Sequence, residues 1–222
     1  MSIMNNETRE FINRYLCKLN YKDYSSFVDA NLKEKYPVEI CEVNGKTIYP
    51  FRDLKGKCTG YINEDGDVEG YINTLFGLSN ICYSNILIGS ELILTKNFKD
   101  TLFLLNNEFH AAGIVFDNIS NEQYDILTRL IGLQTIIILL NPSIKNKILT
   151  FKAIKKLYPL FNLRVCKLNK SIENYSKEEL DDIISNSQTV MRKHYLNADR
   201  YISQLEYELI DIGVKIPKFE DC

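Results

Sequence analysis

Tryptophan is absent from this chain, and only two histidines, five prolines and ten glycines occur in its 222 residues. Proline and glycine this sparse exclude collagen-like repeats and proline-rich linkers. A composition of 45% hydrophobic and 25% charged residues excludes a disordered segment or a coiled-coil rod. A zinc centre would have to draw on His110, His194 and the six cysteines, Cys17, Cys41, Cys58, Cys82, Cys166 and Cys222. No C-x-x-C pair occurs among them, whereas zinc ligands normally come about two to five residues apart, so the cysteines read as buried reduced thiols. Long apolar runs are missing too. The strongest, TIIILL at 135–140, falls far short of the roughly 20 residues that span a bilayer. The opening MSIMNNETREFINRY has no apolar core of the kind a secretory signal needs, and a cytoplasmic protein without membrane contact is expected.

Acidic residues are missing from one long stretch. Between Ile126 and Ile172 stand Arg129, Lys145, Lys147, Lys152, Lys155, Lys156, Arg164, Lys167 and Lys170, with no Asp or Glu among them. That segment carries +9 and the rest of the chain −11, although the whole is only −2. A near-neutral average speaks against a nucleic-acid partner, and its decomposition reverses that inference.

What is present divides into three stretches. Residues 6–34 read as helix, with Phe11, Tyr15 and Leu19 on one face. From 39 to 74, short alternating runs (EICEV, TIYPF, LKGKCTGYI, EGYINT) are punctuated by Asn44-Gly45 and Asp65-Gly66, which are hairpin signals. After residue 85, apolar strands alternate with amphipathic helices. ELILT (91–95) precedes a helix over 98–109 with Asn97 as N-cap. GIVFD (113–117) precedes a helix opened by the capping box of Ser120 and Gln123. TIIILL reads as a central parallel strand covered on both faces. The helix over 146–158 turns Ile148, Phe151 and Ile154 inward and Lys152, Lys155 and Lys156 outward, LRVCKL (163–168) is a fourth strand, and Ser176 with Glu179 caps a further helix. A long amphipathic helix is expected over 187–212, with Val190, Tyr195, Ile202, Leu205, Leu209 and Ile210 on its apolar face. The fold class is therefore α+β: a helical and antiparallel β-meander portion (1–84), an α/β core with a mostly parallel sheet (85–185) and a C-terminal helical extension (186–222). The site of such a core lies at the carboxyl ends of its strands.

The segment YPFRDLKGKCTGYINEDGDVEGYIN (49–73) resembles the P-[IF]-R-D-x-x-G-[KR]-x-x-G-[FY] element of bacterial replicative primases, which precedes a metal-binding TOPRIM domain. ELILTKNFKDTLFLL (91–105), ISNEQYDILTRL (119–130), TIIILLNPSIKNK (135–147) and LRVCKLNKSIENYSKEEL (163–180) then resemble the TOPRIM segments in the family's order. The resemblance implies a TOPRIM-like core, a primer-synthesising ancestry and Mg²⁺ held by converging carboxylates. It also marks where the chain departs. The family's catalytic Glu falls on Thr95 and the following Gly on Lys96, the two Asp of Asp-x-Asp fall on Asn141 and Ser143, and the Lys-Tyr-Leu-Asn element reads Gly70-Tyr71-Ile72-Asn73. Magnesium is a hard cation that wants charged oxygen ligands, and Thr, Asn and Ser supply no charge. Glu91 lies four residues upstream, at the wrong end of its strand.

Neither a catalytic residue nor a resident metal or cofactor is expected. Asp100 reads as complementing a helix N-terminus and Asp117 as a turn residue. An alternative is a diverged active primase or nuclease with a relocated Mg²⁺ site on Asp100 and Asp117. The expected partner is single-stranded DNA or a replication protein. Arg52, Lys55 and Lys57, together with Lys145, Lys147, Lys152, Lys155 and Lys156, would contact phosphate, and Tyr49, Tyr61 and Tyr71 would offer faces for unpaired bases. Against this stands the plainer reading of solvated lysines and packed tyrosines. A further alternative is an adaptor that mimics the primase fold and binds a partner through 187–212. An Asn-, Lys- and Ile-rich composition suggests an AT-rich genome, and the resemblance to a short, stripped primase would suit a phage or mobile element.

Overall fold

Two β-sheets organise the described residues. A computed structural model describes residues 41–43, 46–52, 58–70, 74–77, 91–130 and 132–211. The helix expected over 6–34, the Asn44-Gly45 turn, Lys55, Lys57 and Tyr71 lie outside the described residues.

The first sheet is an antiparallel meander in the order β1 (Cys41–Val43), β2 (Lys46–Arg52), β3 (Cys58–Asn63) and β4 (Val68–Gly70). Val43 stands opposite Lys46, so two residues connect β1 to β2. At the Asp65-Gly66 signal the backbone turns. Gly66 takes φ +93°, its amide donates to the Asn63 carbonyl, and the Asn63 side chain accepts from the Asp67 amide at 2.8 Å. A register shift between Phe51 and Arg52 marks a bulge at the end of β2.

The second sheet runs β6-β5-β7-β8-β9, with β5 (Glu91–Thr95), β6 (Ala111–Gly113), β7 (Thr135–Ile138) and β8 (Asn162–Val165) parallel and β9 (Gln188–Thr189) antiparallel at the edge. Apolar residues at successive positions let β5 and β7 be covered on both faces. Ile93 and Ile137 join one cluster with Leu104 and Leu105 of α1 (Phe98–Asn106). Leu92, Leu94, Ile136 and Ile138 join the other with Leu127 of α2 (Asn121–Arg129) and Leu149 and Ala153 of α3 (Ile144–Leu157). Because α1 follows β5 on one face and α3 follows β7 on the other, the adjacent carboxyl ends of β5 and β7 form the topological switch point, where open α/β sheets place their sites.

Both expected capping boxes form. Ser120 and Gln123 open α2, and Ser176 and Glu179 open α4 (Lys177–Ser185). Gln123 does more. Fully buried, its amide nitrogen donates to the carbonyls of Thr74 (3.1 Å) and Ile114 (2.9 Å), which ties the segment after the meander to the core. At the same junction Phe76 and Gly113 exchange backbone bonds, and a Cβ on Gly113 would lie 2.6 Å from Thr101 Oγ1. Tyr49 is buried against Phe98 (5.1 Å between ring centroids) and edge-on to Phe76 (5.8 Å), so it is core and presents no stacking face.

Three local expectations are corrected. The strand expected at 113–117 is β6 at 111–113, because Val115 leaves the extended region at φ +69°. Helix α1 ends at Asn106, three residues early. The helix expected over 187–212 is broken. Gln188–Thr189 pairs with β8 and the Val190 amide reaches the Leu163 carbonyl, so the chain starts as an edge strand. The short α5 (Arg192–Leu196) then stops at Asn197, and α6 (Ala198–Asp211) follows. Helix α6 lies on α3, with Tyr201 stacked on Phe151 at 4.9 Å.

Candidate functional site

At the switch point, Asp100 is the one carboxylate of the first turn of α1, and it is only 4% exposed. Its two oxygens accept from Asn141 Nδ2 at 3.2 and 3.0 Å, and Oδ2 also accepts from Asn97 Nδ2 at 3.2 Å. Burial pushes the Asp100 carboxyl above the usual carboxylate range. The Asn141 bond opposes that rise, the charge of Glu173 adds to it, and the Asn97 bond opposes it. Asn141 is held in turn, since its Oδ1 accepts the Ile172 amide at 2.8 Å and its carbonyl accepts Asn146 Nδ2 at 2.8 Å. Turning the amide over would set its NH₂ against a backbone N–H, so Ile172 fixes which end faces Asp100.

Besides standing in the first turn of α1, where a carboxylate complements the helix N-terminus, Asp100 sits at the centre of a hydrogen-bonded clamp joining α1, the end of β7 and the 3-10 turn at Ile172–Asn174. Asn97 has the extended backbone of an N-cap, but its side chain is committed to Asp100 and makes no capping bond. Thr95 is fully buried, its hydroxyl 2.7 Å from that of Thr101. Ser143 caps α3, with Oγ accepting the Asn146 amide at 3.0 Å. Each of the three positions is thus tied into local structure by a hydrogen bond.

Outside this clamp the rim is cationic. Lys96, immediately after β5, pairs with Asp117, whose side chain is 77% exposed. The Lys96 hydrogen bond holds the Asp117 carboxyl below its ordinary range. Burial opposes that effect, and the charges of Lys96, Lys145 and Lys152 reinforce it. Lys96 is the ammonium in contact with Asp117, and Lys145 and Lys152 act on it through their charge. Asp100 and Asp117 have separate partners, the first held by amides and the second by lysine. Lys145 and Lys147 are exposed on the first turn of α3. The last two lysines of the helix are engaged within the fold. Lys155 pairs with Asp199 of α6, and Lys156 donates to the Ile119 carbonyl (2.7 Å) and Asn121 Oδ1 (2.9 Å) at the start of α2. Burial lowers the Lys156 ammonium from its usual range, against the pull of Glu122 and Asp125. Arg52 ends β2. Tyr61 is half-buried on β3. Glu91 pairs with Arg164 at the opposite end of the sheet, as its position upstream implies.

A four-stranded meander joined to a parallel sheet with its switch point at β5 and β7 defines a primase-core architecture, and solved structures share it. The E. coli primase catalytic core aligns with 84% of this chain and 74% of its own at 10% identity and a TM-score of 0.57. The DnaG primase catalytic domain bound to ssDNA aligns with 83% of this chain and 73% of its own at 11% identity and a TM-score of 0.54. The primase fragment of the bacteriophage T7 primase-helicase protein aligns with 85% and 78% at 14% identity and a TM-score of 0.52. No protein-family model and no curated protein matches the sequence. At these identities the likeness is one of fold: the chain has the fold of DnaG-type primase catalytic cores.

The Mg²⁺ that the primase resemblance implies does not fit these residues. A hard dication needs several charged oxygens facing one point, and among the described residues no three His, Cys, Asp or Glu side chains converge. The one buried carboxylate among the described residues already accepts three N–H bonds, and the Asn141 NH₂ that faces it would repel a cation.

Proposed function

We propose that this chain is a primase-fold protein that holds the phosphate backbone of a single nucleic-acid strand at the carboxyl ends of β5 and β7, as an accessory or regulatory factor without primer-synthesising chemistry. The observation that carries this reading is the exchange of charge at the switch point. The carboxylate there accepts three amide N–H bonds, while Lys96 pairs with exposed Asp117 and the charges of Lys145 and Lys152 reach it. Cations beside strand ends suit phosphate oxygens. One structural neighbour is described as bound to ssDNA, which supports the same ligand. No helix among the described residues is long and apolar enough to cross a membrane.

The test is the affinity of the full chain for a single-stranded oligonucleotide against salt concentration. Each phosphate neutralised contributes a slope of about −0.7 in log K against log salt. Replacing Lys145 and Lys152 together by Glu should weaken binding and flatten the slope by more than one. Unchanged binding by that variant, or no binding by the parent at low salt, refutes the reading.

A further inference from the structure

Helices α5 and α6 have two faces of different composition. One lies on α3, with Tyr195 against Tyr158 (5.3 Å between ring centroids) and with Ala198 and Leu209 buried. The opposite face carries Leu196, Arg200, Ser203, Tyr207 and Ile210, spaced alternately four and three apart, which is the seam spacing of paired helices. Its apolar members Leu196, Tyr207 and Ile210 are 65%, 70% and 57% exposed. Solitary exposed apolar residues need no explanation, but a row of them along one face marks an interaction surface. The charges beside the row run against the helix dipoles. Arg192 and Lys193 open α5, Glu206 and Glu208 stand toward the end of α6, and each sign is the one that the nearer helix terminus disfavours. Among the described residues none of these four joins an ion pair. That order of charge destabilises the helices and serves no contact within the described residues.

We propose that a second copy of this chain docks on this face, its α5 and α6 antiparallel to those of the first across a two-fold axis near Ser203. Such an axis makes the contact isologous, so what one end of the row offers the other end must accept. Here the two ends match. Leu196 of each copy meets the Tyr207 and Ile210 end of the other, and Arg192 and Lys193 meet the end that carries Glu206 and Glu208. Ser203, the smallest side chain of the row, lies at the crossing and lets the helices approach. A parallel arrangement would set the basic ends together and the acidic ends together. A wholly acidic or wholly basic partner would satisfy only one end. The inference does not depend on the strand-backbone reading.

The experiment is sedimentation velocity of the full chain, free of nucleic acid, from about 1 to about 100 μM. The parent should pass from monomer to dimer as concentration rises and go no further. Leu196→Glu with Tyr207→Glu, both at exposed positions, should remain monomeric throughout. Arg192→Glu with Lys193→Glu sets acid against acid at both ends of the contact and should raise the dimer dissociation constant at least about tenfold. Adding Glu206→Lys and Glu208→Lys to that same chain reverses the other partner of each contact and should restore the parental association. The reversed charges suit the helix termini, so these variants keep α5 and α6. A parent that is monomeric at the highest concentration, as when residues 6–34 of the chain itself cover the face, overturns the proposal. So does a dimer indifferent to the apolar pair, or assembly beyond the dimer. A fourfold variant that stays dissociated overturns it too, since that is the result a parallel or unlike contact gives.

Discussion

Restoring a family carboxylate at the switch point by Asn141→Asp should destabilise the fold, and the structure sets the size of the effect. The new side chain keeps one oxygen for the Ile172 amide but puts its other oxygen where Nδ2 now donates to Asp100 at 3.0 and 3.2 Å. A hydrogen bond to a charged group is worth about 1.5–3 kcal/mol. At an effective dielectric of about 20, two unit charges about 4 Å apart repel by about 4 kcal/mol. The pair can escape part of that repulsion by sharing a proton, which near neutral pH costs about 4 kcal/mol for a carboxyl titrating about three units lower. A deficit of about 3–5 kcal/mol near pH 7 follows. Its sign with pH is fixed. The folded pair takes up a proton more readily than the unfolded carboxyls, so the stability present below the ordinary carboxylate range is lost as pH rises through the raised value. Urea unfolding of parent and variant at about pH 4.5 and about pH 7 should show the deficit growing with pH. A deficit under about 1 kcal/mol near neutrality, or one indifferent to pH, would refute the clamp as the organising interaction.

Other consequences follow from the same contacts. Gln123→Leu leaves the Thr74 and Ile114 carbonyls unpaired in the interior and should cost about 1–3 kcal/mol for each acceptor in chemical unfolding. Gly113→Ala sets a Cβ 2.6 Å from Thr101 Oγ1 and should cost about 1–3 kcal/mol, with Thr101→Ala in the same chain recovering part of it. Asp117→Asn removes the carboxylate that pairs with Lys96 and should tighten oligonucleotide binding at low salt, whereas a metal site using Asp117 would make it weaker. Burial pushes the Cys166 thiol up to about 12, so near pH 8 it should react with thiol reagents only at the rate of unfolding, measured by timed labelling against a denatured control.

The sequence discloses what is local. Ser120 with Gln123 and Ser176 with Glu179 are legible as helix starts because a capping box closes within four residues. The parallel sheet is legible because strands alternate with amphipathic helices, and the successive apolar positions of β5 and β7 mark them as its covered strands. The site is legible to the extent that Thr95, Asn141 and Ser143 carry no charge. What those residues do instead is not, because Asn141 meets Asp100 across 41 positions and Ile172 across 31. Lys155 and Lys156 look like an outward basic face until Asp199, from 44 residues away, and Asn121, from 35, engage them. Tyr49 alternates like a half-exposed strand residue, yet Phe76 and Phe98 cover it because the meander packs against the start of α1. The late start of the helical segment hides within a sequence of good helical spacing, because the edge position beside β8 captures Gln188 and Thr189 first.

The central claim is that the switch point attracts phosphate with lysine and not with metal. The most direct test is the affinity of the full chain for a single-stranded oligonucleotide, titrated with MgCl₂ at constant total ionic strength. Because Mg²⁺ would compete for the phosphates while finding no carboxylate cluster to bridge, the account predicts affinity that falls steadily as Mg²⁺ rises. Affinity that increases with Mg²⁺ and saturates would contradict it.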